Sequence, residues 1–132
     1  MGAWSDDPFG NDTACDWVYG LEDADDLSLI EDTLQTVLDA GEEYLEAPAG
    51  DEAIAAADVL ARLRGRFYVR NSYTESVDNW VAAHPIQPPA ELIAKALKAI
   101  DRILTEPSEL LELWDGSDGW RQHIVALKVR LK

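Results

Sequence analysis

Three observations predict an all-α fold, a compact single-domain bundle of about seven short helices. Apolar residues recur at helical spacing in nearly every segment, strand-like alternation is almost absent, and the connections between periodic stretches are short. The chain has 132 residues and 47% hydrophobic content. That length fits one domain, residues 1–132, able to bury roughly two-thirds of its unfolded surface without disulfide staples.

Residues 1–10 read as an irregular arm carrying Trp4, Pro8 and Phe9. Asn11 or Asp12 then caps a first helix whose Ala14, Trp17, Val18 and Leu21 fall on one face. Glu22 to Asp26 is an acidic connector. Ser28 and Glu31 have the spacing of a capping box and open a second helix, with Ile30, Leu34, Val37 and Leu38 inward and Gly41 as its stop. Tyr44 to Pro48 either ends that helix or crosses to the next. Asp51 is the expected N-cap of a third, alanine-rich helix from Glu52 to about Leu63, with Ile54, Ala57 and Leu60 inward and Gly65 closing it.

Arg66 to Tyr73 reads equally as a short extended piece or as continued helix. Ser72 or Thr74 begins a fourth helix with Val77, Trp80 and Val81, stopped by His84 because Pro85 follows. The Pro85 to Pro89 run is a rigid linker, and Pro89 suits the first turn of a fifth helix, Ala90 to about Leu104. Lys95, Lys98 and Arg102 lie on that helix's outer side. Ser108 caps a short sixth helix to Trp114. After a turn, Asp118 caps a last one with Trp120, Ile124, Leu127 and Leu131. No period repeats, so a solenoid is not expected.

Charge is the strongest signal of partner class. The formal net charge is −15, and no lysine or arginine precedes Arg62. Seventeen Asp and Glu lie before that point; the remaining chain is close to balanced, at +2. A field of one sign repels nucleic acid and anionic membrane and attracts cationic surfaces. The lone Cys15 cannot form an intramolecular disulfide and fits a reducing compartment. No leader-like segment and no apolar run of spanning length is found, and Asp6 spoils the myristoylation pattern at Met1-Gly2. A soluble cytoplasmic protein is therefore expected.

The landmarks Met1-Gly2-Ala3-Trp4, Phe9, Asn11-Asp12 and Asp16-Trp17 resemble the opening of a bacterial domain-of-unknown-function family, M-G-A-W-G-x-G-x-F-x-N-D-x-A-x-D-W. The likeness continues through Tyr44 to Pro48, Glu52-Ala53, Ala55 to Ala57, Ser108 to Leu110, Leu113-Trp114 and Trp120. Ser5 and Asp7 stand where the family places glycines. The resemblance implies a single helical bacterial domain and brings no activity with it.

No catalytic motif stands out. The acidic run after Glu22 lacks the glycine and late glutamate of a calcium loop, and the Asp115 to Gly119 segment reads as a turn. His84 and His123 have no zinc-ligand spacing, and carboxylates beside Cys15 argue against a reactive thiol. No metal and no cofactor is expected. Arg62, Arg64, Arg66 and Arg70 are read as internal neutralisers or as stems covering the core. Two binding readings result. The leading one is a non-enzymatic acidic protein, immunity-like or antitoxin-like, that docks a basic partner through Glu31, Asp32, Asp39, Glu42, Glu43 and Glu46 with Tyr44 as anchor. The alternative is a small-molecule or catalytic pocket built from Trp4, Asn11, Asp12, Asp16 and Trp17. A third expectation is a homodimer through an aromatic patch left by Trp80, Trp114 or Trp120.

Overall fold

The computed structural model describes residues 7–68 and 70–132. Seven helices follow in order: α1 (Asp12–Glu22), α2 (Ser28–Asp39), α3 (Ala47–Leu63), α4 (Glu75–Ala83), α5 (Ala90–Ile103), α6 (Glu109–Leu113) and α7 (Asp118–Leu131). No strand occurs among the described residues; an isolated bridge pairs Leu45 with Ser108. The all-α class expected from periodicity is the class observed.

The axis of the bundle is α3, which touches each of the other six helices. Every residue from Ala53 to Arg62 is buried. A helix apolar on all sides belongs in the middle, and Ala55, Ala56 and Ala57 let neighbours approach it closely. Periodicity reads only one inward face for this helix, because alanine is small enough to sit on any face.

Several helix starts differ from expectation. α3 begins at Ala47, not after Asp51. Pro48 lacks an N–H and is preorganised for a first turn, so the helix starts around it and takes Asp51 inside. The Ala47 N–H is capped by the Glu109 carboxylate, 2.7 Å away and sixty-two residues on. Ser28 does not form a capping box with Glu31. Its N–H and hydroxyl instead both donate to Asp26 Oδ1, at 3.0 and 2.6 Å, which holds the Asp26 carboxyl below its ordinary range. Ser117 rather than Asp118 caps α7, and Pro89 stands at the cap position of α5, just before its first turn. Asn11 caps α1 as expected, accepting from the Ala14 N–H at 2.8 Å. Gly41 and Gly65 close α2 and α3 with φ of 56° and 80°, a conformation that costs a glycine little.

The stretch 66–73 is neither helix nor strand where it is described. It is an irregular loop strapped to the end of α7. The Arg66 guanidinium donates to the Arg130 carbonyl at 3.1 Å, and Arg130 Nε returns a bond to the Arg66 carbonyl at 2.8 Å. Phe9 is fully buried, and Trp17 donates to the Thr33 hydroxyl at 2.9 Å inside the core. Trp80 and Trp120 are each only 4% exposed, and Trp114 stacks on Trp120. The tryptophan patch expected of a homodimer is thus spent on packing. No helix among the described residues is long and apolar enough to cross a membrane.

Candidate functional site: two ends of the central helix

Seventeen residues make α3 about 25 Å long, and its ends differ in charge. Carboxylates collect at the N-terminal end. Glu42, Glu43, Tyr44 and Glu46 are exposed on the segment that leads into the helix. Leu45, between them, is pinned down: its N–H donates to the Pro107 carbonyl at 3.1 Å and its carbonyl accepts from the Glu109 N–H at 2.8 Å. α6 thereby brings Glu109 and Glu112 alongside. Partial desolvation and the carboxylates of Glu112, Glu109 and Glu46 together raise the Tyr44 phenol above its usual range. Asp51, half-buried, is pushed up to about 6 by burial first and then by the charges of Glu109 and Glu52.

One cation reaches this end, and it does not neutralise it. Arg102 aims its guanidinium at backbone carbonyls: Gly41 at 2.8 Å, Glu43 at 2.6 Å, Thr105 at 2.8 Å and Pro107 at 3.1 Å. The segment 41–46 is therefore shaped from beneath by a neutral-acceptor network. Among the described residues, no cation pairs with the carboxylates of Glu42, Glu43 or Glu46.

The acidic face read from sequence is not one patch. Glu31 lies in the first turn of α2 and Asp32 just after it, about 10–12 Å along the helix from Asp39, and Glu31 pairs with Lys95 at 3.7 Å. The dense cluster is Asp39 to Glu46, completed by Glu109 and Glu112. No local sequence signal announces that completion, because α6 meets this segment through tertiary contacts, the bridge at Leu45 and the Glu112 carboxylate beside Tyr44.

At the C-terminal end of α3 charge is buried. Asp58 is fully buried and Arg62 is 1% exposed. Arg62 Nη1 donates to Asp78 Oδ1 at 2.6 Å, Arg62 Nε lies 3.4 Å from Asp58 Oδ1, and Arg130 Nη2 donates to Asp58 Oδ1 at 2.5 Å. Arg70 adds a contact to the other Asp78 oxygen at 3.4 Å. The guanidiniums also face rings: Arg62 lies over Phe9, Arg70 over Phe67 and Arg130 over Tyr68. Of the four Arg in the run from Arg62 to Arg70, Arg62 and Arg70 meet carboxylates, whereas Arg64 and Arg66 donate to the carbonyls of Leu131 and Arg130. The signal missed is the i, i+4 pair Asp58–Arg62 inside an otherwise apolar helix.

The described members of the alternative pocket are capping, packed in the core or exposed. Asn11 is occupied as a helix cap, Trp17 is in the core, and Asp12 and Asp16 are exposed. Trp4 lies outside the described residues. Burial, then Asp12, Asp16 and Asp7, push the Cys15 thiol up, away from a reactive thiolate. Two shallow grooves, of about 430 and 440 Å³, lie along α7 and between α5 and the end of α7. Neither is lined by Asn11, Asp12, Asp16 or Trp17. His84 Nδ1 lies 3.0 Å from the Trp80 carbonyl and the two rings stack, the carbonyl-capping position expected before Pro85.

The family model described as a domain of unknown function, DUF4259, matches residues 2–124. The chain belongs to the DUF4259 family. Its span takes in α1 to α6 and the first half of α7, so both ends of α3 lie within the family domain. No curated protein and no solved structure matches the chain.

Proposed function

We propose that this DUF4259 protein acts by binding, and that the carboxylate-rich end of α3 docks a basic protein partner. The concrete form is an inhibitor of the immunity or antitoxin kind, in a bacterial cytoplasm, covering a cationic site. One observation carries the reading. Exposed carboxylates surround a half-exposed tyrosine, and the nearby arginine holds the backbone and leaves them unpaired. Aligned charge of that sort steers a partner of opposite sign, and Tyr44 supplies the apolar contact such interfaces need at their centre. The net charge of −15 disfavours nucleic acid and anionic membrane as alternatives.

The test is affinity capture from lysate with the natural sequence and with Glu42→Lys, Glu43→Lys, Glu46→Lys together. A single stoichiometric basic protein, released as salt rises and lost with the triple variant, supports the proposal. A partner retained equally by both proteins removes this face from consideration.

A further inference from the structure

The first sixty-one residues have no base, and the stretch from Val59 to Thr74 has the converse property: no carboxylate, four arginines and three aromatic residues. Most of it forms the loop that follows α3. Phe67, Tyr68 and Tyr73 are 39%, 38% and 52% exposed there, and the Arg70 side chain is 61% exposed over the Phe67 ring. The nearly buried Asp78 meets Arg70 Nε at 3.4 Å, and Arg66 is a second exposed arginine, so the surface presents mainly arginine and aromatic rings, the composition of an interface centre. The loop is also preorganised. Arg66 and Arg130 exchange backbone bonds, and the Tyr68 hydroxyl lies 2.9 Å from His123 Nδ1. A rigid surface loses less entropy on docking.

We infer that this arginine–aromatic loop is a second docking surface, and that its occupant is the acidic end of another copy of the chain. The complement is present on the same molecule, around Glu42, Glu43, Tyr44 and Glu46. It lies at the opposite end of a helix about 25 Å long, so one molecule cannot bring the two together. Joining unlike surfaces from opposite ends is a head-to-tail contact, which gives a ring or an open chain and not a two-fold dimer. At physiological salt, charges more than roughly 8 Å apart are largely screened, so the overall net charge opposes association weakly and the local match stays in control. The inference rests on the acidic end being open to docking, as proposed above.

Mass measured by sedimentation tests it at physiological salt over a range of concentration. The natural protein is expected to grow past dimer as concentration rises and to return to monomer in about 0.5 M salt, where screening acts within roughly 4 Å. Two charge-removing variants separate the surfaces: Glu42→Gln, Glu43→Gln, Glu46→Gln, and Arg66→Gln, Arg70→Gln. Each alone is expected to be monomeric and, by circular dichroism, as helical as the natural protein. Mixed, they are expected to stop at a 1:1 dimer, since only one intact surface of each kind remains. A monomer at every concentration, or a dimer that survives both variants, overturns the inference. Capture of a basic partner would still succeed in that case, so the two proposals fail separately.

Discussion

At its first turn α3 meets carboxylates that stay in water, whereas at its last turns it carries an aspartate and an arginine that water scarcely reaches. The same charge types do different jobs at the two ends. Among the described residues Glu42, Glu43 and Glu46 pair with no cation, and the local shape is set by the Glu109 cap on Ala47 and by Arg102 on four carbonyls. Around Asp58 and Arg62 the charges are the joint between α3, α4 and α7. A buried pair is costly to desolvate and costlier still to break, because removing one member strands the other. Exposed acids can be altered at little cost to the fold. Stability and recognition are thus assigned to opposite ends of one helix.

The largest effect should come from the buried end. Arg62→Ala leaves Asp58 and much of Asp78 poorly compensated in the interior, and a loss of about 3–5 kcal/mol is expected in urea unfolding. A loss under 1 kcal/mol would mean that Arg130 and Arg70 carry the joint unaided. At the acidic end, Glu109→Ala removes the cap from the Ala47 N–H and should cost about 1–2 kcal/mol. The same change should lower the Asp51 pKa, readable by carboxyl NMR, because one of its two charged neighbours is gone.

Asp51 gives the one expected gain. Its folded pKa, about 6, lies above the ordinary aspartate value of 3.8. The protonated form is therefore the one the fold favours: stability from this group is full below pH 3.8 and is lost as pH rises through 6. Discounted for its partial exposure, Asp51→Asn should add about 1 kcal/mol at pH 7 and nothing near pH 3. An equal gain at both pH values would place the effect outside titration. The smallest change belongs to Glu42→Gln, Glu43→Gln, Glu46→Gln, expected within about 0.5 kcal/mol of the natural protein. A larger loss would show that these acids support the fold after all and would erase the contrast between the ends.

Much of this was legible in the residues. Helical spacing marks all seven helices, Asn11, Gly41 and Gly65 mark ends, and the split of charge along the chain foreshadows the two poles of α3. What failed was long-range. Asp51 looks like a cap because Asp is a good one locally, yet Glu109 takes that work from sixty-two residues away. The acidic face looked continuous because Glu31 to Glu46 are near in sequence, and α2 spreads them along its length. Trp80, Trp114 and Trp120 read equally well as surface or core, and only the packing decided. The distinctive N-terminal motif turned out, where described, to serve a cap and the core at Asn11 and Trp17.

Arg102 has a consequence for how such a surface changes over generations. Its four bonds go to main-chain oxygens, which every substitution preserves. The side chains at positions 42, 43 and 46 can therefore be exchanged one at a time, even reversed in sign, over a backbone that keeps its form. A lineage carrying this arginine could address a succession of different partners from one unaltered scaffold.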